Sequence, residues 1–154
     1  MVANQLTESR KDDASVVPDL LKQIDANVRR FTGDGAYDRR LVYDKVAGGG
    51  TEDVVVVVPP RRSAVPDKNA EGAWSQRNSY LERIEEIGRR AWLKESGYRQ
   101  QARAENAFFR WKWMFGDRLR SKHLGAQSRE AMIGCGVLNR MFELGKPRSQ
   151  AVPA

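Results

Sequence analysis

The stretch Val28-Arg-Arg-Phe-Thr-Gly-Asp-Gly-Ala-Tyr-Asp38 reads as a short strand that leaves its sheet through a sharp turn. Val28, Arg30 and Thr32 alternate with Arg29 and Phe31, the two-residue period of a strand. Glycines on both sides of Asp34 allow an abrupt exit and set its carboxylate at the strand's end. A helix is expected from about Arg39 to Ala47, stopped by Gly48-Gly49-Gly50. Val54 to Val58 follows, five β-branched residues closed by Pro59-Pro60. So unbroken an apolar run suits a strand covered on both faces, in a parallel or mixed sheet.

Upstream, Asp13 or Ser15 can cap a helix over about 16–25, in which Val16, Leu20, Leu21 and Ile24 keep helical spacing. Arg61 to Gly72 is a loop, and the rest reads as helix: about 75–94, 98–115 and 126–143. Breaks fall at Ser96-Gly97 and Gly116-Asp117. The last helix is apolar nearly all round and is expected to be buried, with Gly134 and Gly136 allowing close packing. Two strands make a poor sheet. The expectation is that the sheet pairs with another chain or lacks members on its N-terminal side.

The chain has 154 residues, 31% charged and 40% hydrophobic, the balance of an ordinary globular domain. Neither a membrane-spanning run nor a secretory leader is legible. With one cysteine, Cys135, no intrachain disulfide is possible, and one histidine, His123, excludes a multi-histidine zinc site. A cytoplasmic location is expected. The net charge of +7 is uneven: residues 1–72 hold 11 basic and 12 acidic side chains, and residues 73–154 hold 16 and 8. Ten of the 13 aromatics share the basic part. That combination points to a polyanion such as nucleic acid, or to a solvated helical surface.

Two constellations carry chemistry. Asp34, at a strand end, suits Mg²⁺, which prefers hard oxygen ligands; the alternative is a turn aspartate capping the helix that follows. Asp38 is the better candidate for that capping, which leaves Asp34 freer for a metal. Further on, Tyr98, Gln101, Glu105 and Lys112 recur at gaps that return to one helical face. Arg99, Arg103 and Arg110 add positive charge beside them. Glu105 could join Asp34 on a metal while Lys112 meets a phosphate, or the helix could be a surface helix with incidental ion pairs. In Phe108 to Lys122, aromatics alternate with cations. These suit base stacking and phosphate neutralisation, or place Phe109, Trp113 and Phe115 as core anchors.

These segments together resemble the DDE transposases of small bacterial insertion sequences, in the groups numbered four and five. The resemblance rests on Leu6-Thr-Glu-Ser, Phe31-Thr-Gly-Asp-Gly-Ala-Tyr-Asp38, Val55-Val-Val-Val-Pro-Pro-Arg-Arg62, Gly97 to Lys112, Phe115-Gly-Asp-Arg-Leu119 and Cys135 to Met141. It implies an RNase H-like α/β fold in which three acids hold two Mg²⁺ ions. By that resemblance Asp34 is the second acid and Glu105 the third, in the pattern Tyr-x2-Arg-x3-Glu-x6-Lys. Tyr98, Glu105 and Lys112 match it, and Gln101 stands where the arginine belongs. Tyr98, Arg99, Arg103, Arg110 and Lys112 are then the expected DNA contacts.

The first acid belongs on a strand upstream of the helix at 16–25, and no segment here corresponds to it. The expected architecture is therefore a partial RNase H-like fold, a small sheet remnant followed by a helical C-terminal half. Residues 1–13 would be a polar connector, 14–146 the C-terminal portion of the catalytic domain and 147–154 a flexible tail. The expected function is DNA transposition by metal-dependent cleavage and strand transfer, inactive in the isolated chain. The alternative is a non-catalytic, basic DNA-binding remnant that competes with full-length transposase. Expected partners are double-stranded DNA at transposon ends, and an upstream transposase fragment or further copies of the chain. No membrane partner is expected.

Overall fold

A computed structural model describes residues 1–7 and 10–145; the tail expected at 147–154 lies outside them. The chain divides into two compact units: Thr7–Glu105, and Met1–Leu6 together with the chain from Asn106 onward.

The first unit is a small mixed α/β structure. A 3-10 turn, Asp13–Val16, leads into α1 (Val17–Leu21), then β1 (Val28–Thr32), α2 (Arg40–Gly49) and β2 (Gly50–Val57). β1 and β2 pair in parallel, Phe31 opposite Val56 and Thr32 opposite Val57, with an irregularity between Val28 and Arg30. Parallel strands need a crossover, and α2 supplies it. The β1 boundaries match the sequence expectation, whereas β2 begins earlier and closes at Val57. Val54, Val56, Val57 and Val58 are buried, and Val55 remains 39% exposed, so the expected covering of both faces is not complete. Ala14, Val17, Val42, Tyr43, Val46, Val54, Val56, Val58 and Trp74 form the core. Trp74 meets the Tyr43 ring edge-on at 5.0 Å.

Beyond the loop come α3 (Ser75–Ile87), α4 (Arg89–Glu95), a 3-10 turn at Tyr98–Gln101 and the start of α5 (Ala102–Phe115). Gln76, near the start of α3, receives the Val56 N–H at 3.0 Å and donates to the Val54 carbonyl at 2.9 Å. One side chain thereby takes the place of a neighbouring strand and closes part of the outer edge of β2.

Three helix expectations need correction. The helix expected over 16–25 ends at Leu21, and neither Asp13 nor Ser15 is its cap; the Ser15 hydroxyl donates to the Asp12 carbonyl instead. The helix expected over 75–94 breaks at Gly88, whose φ of 80° an L side chain rarely adopts. The stretch 98–115 opens as a 3-10 turn, so Tyr98 and Gln101 do not continue the α-helical face of Glu105.

In the second unit, α5 ends at Phe115 and α6 (Leu124–Glu143) follows. A Cβ built on Gly134 would run into the Trp111 ring, so the absent side chain is what lets that ring in. Gly136 meets nothing within 4 Å and plays no such part. Trp111 also packs on Phe115, ring centroids 4.7 Å apart. α6 is not buried as expected: Gly134 and Cys135 are, while Met132, Ile133 and Phe142 are each at least 60% exposed. A helix apolar on every side presents more surface than one neighbouring helix and a short N-terminal segment can cover. Phe109 and Trp113 are exposed too, so they are not core anchors. Burial raises the Cys135 thiol pKa, as expected of an inert core cysteine. Among the described residues no helix is long and apolar enough to cross a membrane.

Candidate active site

The ladder continues one bond past β1, from the Gly33 N–H to the Val57 carbonyl at 3.2 Å, and then the chain turns. A Cβ on Gly33 would stand 2.9 Å from the Tyr37 ring, which itself packs edge-on against Phe31 at 5.8 Å. That packing folds the turn back on the strand and leaves Asp34 exposed at its tip. One Asp34 oxygen accepts the Ala36 N–H at 2.8 Å and caps the 3-10 turn Gly35–Tyr37. Asp34 thus caps the 3-10 turn and not the helix that follows, and the helix cap expected of Asp38 is not made either, its oxygens being taken up by Arg77 and Arg61. Since one carboxylate oxygen suffices for the cap, the other stays available to a cation.

Asp38 does something else. Its side chain is 1% exposed and accepts the Arg77 Nε–H at 2.8 Å and the Arg61 backbone N–H at 3.1 Å. Arg77 in turn donates to the Val65 carbonyl at 3.0 Å and lies 4.8 Å from the Trp74 ring centre. The pair locks the chain after Asp34 onto the loop after β2 and onto α3. Sequence reading missed it, because partners 39 positions apart have no local signature.

A second brace reaches forward. The Arg30 guanidinium, on β1, donates to the Ser96 carbonyl at the end of α4. Gly97 follows with φ 70° and lies directly under Arg30, where a Cβ would be 2.9 Å from Nη2. The strand that carries Asp34 is therefore tied to the turn that carries Tyr98.

Glu105, exposed, lies in the first turn of α5. The Tyr98 phenol has its pKa raised by partial burial, then by the charge of Asp34, then by that of Glu105. Two carboxylates separated by 71 positions thus act on one phenol. Asp34 also helps raise the Tyr37 phenol, after burial and Asp13. Arg99 and Arg103 are exposed beside Tyr98 and Glu105 in this unit. In the second unit Arg110 is exposed, and Lys112 is held loosely by Asp117 at 3.8 Å. His123 occupies the N-cap position of α6 without a side-chain cap bond.

Asp34 and Glu105 are hard oxygen donors of the kind Mg²⁺ accepts, and this ion is commonly held by one or two carboxylates together with substrate phosphates. Among the described residues no group of three or more His, Cys, Asp or Glu side chains is set to hold a metal. The described residues therefore do not by themselves supply a three-acid, two-ion centre.

The first unit is thus an α/β unit with one acid just past a strand end and a second in the first turn of a later helix. The family comparison makes this specific: residues 1–140 match the model of the transposase DDE domain, and the chain belongs to that family. No solved structure matches it. Divalent metal use and a DNA partner are general features of that family.

Proposed function

We propose that the chain is the C-terminal part of an insertion-sequence DDE transposase domain with an RNase H-like fold. In this reading it carries two of the three catalytic acids, Asp34 and Glu105. The observation that carries this is the match of residues 1–140 to the transposase DDE domain, in a unit where Arg30 ties the strand ending before Asp34 to the turn that leads into Glu105. The sheet supports it. β2 has its outer edge partly closed by Gln76, while among the described residues no strand pairs with the far edge of β1. A strand added there would bring a third carboxylate alongside Asp34.

Bound Mg²⁺ would supply Lewis-acid activation of the attacking oxygen and stabilise the departing one. Asp34 and Glu105 would hold it. Tyr98, a neutral phenol like any tyrosine near pH 7, donates a hydrogen bond and positions a phosphate oxygen without adding repulsion. Arg99 and Arg103 neutralise DNA phosphates beside the acids, and Arg110 and Lys112 do so further along α5. Gln101 can donate hydrogen bonds but supplies no charge, so the phosphate contact made by an arginine at that position falls to Arg99 or Arg103. The isolated chain binds duplex DNA with little sequence preference and does not cut it.

The test incubates labelled terminal-repeat DNA with Mg²⁺ or Mn²⁺, with the chain alone and with a fragment supplying the first acid. Cleavage only in the mixture, lost in Glu105→Gln, is the expected result. Metal-dependent nicking by the chain alone, abolished by Glu105→Gln, would show that two acids suffice. Duplex binding without cleavage in either case favours the reading as a non-catalytic, competing DNA-binding remnant.

A further inference from the structure

The loop after β2 forms, with Asp38 and Arg77, an open cleft of about 450 Å³. That space, open to solvent, is ample for a hydrated phosphate. Arg77 forms the floor. It is nearly buried, and Asp38, the Val65 carbonyl and the Trp74 ring fix it in place. These contacts use Nε and Nη1, so Nη2 keeps its donors for whatever enters the cleft. On the rim, the Arg61 guanidinium makes no ion pair or hydrogen bond among the described residues, although its backbone is pinned by Asp38. Ser63 adds a hydroxyl. Arg39, the third cation of the lining, is half-engaged by exposed Asp12 at 3.3 Å.

Asp38 balances Arg77 and Asp12 partly balances Arg39, so Arg61 leaves the cleft a positive excess. Its fixed, planar donors match phosphate oxygens. Its position gives it a direction. The Gly35 Cα faces the Pro59 carbonyl, where a Cβ would sit at 3.5 Å, so the Asp34 turn lies beside the segment leading into Arg61.

The geometry points to this cleft as a second phosphate-binding subsite, in which Arg61, Arg77 and Ser63 hold a backbone phosphate of the DNA strand that passes Asp34. The inference rests on the transposase reading and adds to it a contact beside the Asp34 turn. Arg61 and Arg77 are here positioning residues: they hold the strand and take no part in the chemistry.

The experiment measures binding of the full chain to a fluorescein-labelled duplex by anisotropy across a salt series. The variants are Arg61→Ala and Arg61→Lys, with far-UV circular dichroism confirming the fold. Each phosphate contact adds about 0.9 to the slope of log affinity against log salt. Arg61→Ala is expected to lower that slope by about one and weaken binding several-fold, and Arg61→Lys to restore the slope. In ¹⁵N spectra the Arg77 Nε resonance is expected to move on adding DNA in the wild type. Normal wild-type binding, with an unchanged Arg61→Ala slope and an unmoved Arg77 resonance, would overturn the subsite and leave the transposase reading standing. A wild-type chain that fails to bind duplex DNA at low salt would overturn both.

Discussion

Arg30 on β1 donates to the carbonyl of Ser96, 66 positions later, and this bond joins the strand ending at Asp34 to the turn opening at Tyr98. A guanidinium at a helix C-terminus satisfies a carbonyl that the helix leaves free, and it complements the negative end of the dipole. Here it also fixes the register of two segments that each carry a carboxylate of the candidate site.

Gly97 is the position most sensitive to that brace. Gly97→Ala forces a side chain onto a backbone with φ 70° and pushes it toward the Arg30 guanidinium. The left-handed conformation alone costs about 1 kcal/mol. A lower midpoint in thermal melting is expected. An unchanged midpoint would mean that Arg30 does not sit where the structure has it.

The Asp38–Arg77 pair is the costliest contact to break. With side chains 1% and 10% exposed, removal of one partner strands the other charge out of water. Asp38→Ala is expected to destabilise the chain by about 3–5 kcal/mol, read from urea unfolding. By contrast Arg83→Ala, which breaks exposed pairs with Glu86 and Glu95, should leave the urea midpoint close to that of the wild type.

In the second unit, Gly134→Ala drives a methyl group into the Trp111 ring. Overpacking of this kind costs about 1–3 kcal/mol. Trp111 fluorescence should shift to the red as the ring is displaced, whereas Gly136→Ala, facing open space, should leave both stability and emission unchanged.

The convergence of the two acids has its own titration. Since Asp34 and Glu105 both raise the Tyr98 phenol, either Asp34→Asn or Glu105→Gln should lower its pKa. Burial, the larger cause, keeps it above the ordinary 10.0. Tyrosine ¹³Cζ spectra resolve this phenol from the other three. The sign for stability follows: a raised folded-state pKa favours the folded chain below about pH 10, and that contribution is lost as pH rises through the folded value. A Tyr98 pKa unmoved by either variant would separate the acids.

Much of the strand–turn–helix unit was legible because its signals are local. Alternation over Val28–Thr32, the glycines around Asp34 and the valine run each act through neighbouring residues. The capping expected of Asp38 was misplaced because either aspartate can cap a turn. The choice was made by Arg77, distant in sequence, which draws Asp38 inward. Gln76, standing in for a strand, and Arg30, capping α4, were invisible for the same reason. The burial of α6 was misjudged because periodicity reports which residues are apolar, and only tertiary structure supplies the surface that covers them.

The central claim is that Asp34 and Glu105 form one cation-holding pair at bound DNA. Electron paramagnetic resonance of free Mn²⁺, titrated against the chain saturated with duplex DNA, tests it directly. The account predicts Mn²⁺ bound beyond what DNA alone takes up, with affinity falling at least about tenfold in both Asp34→Asn and Glu105→Gln, because each removes one of two anionic donors. Mn²⁺ binding that is undiminished in either variant, with DNA still bound, would contradict it.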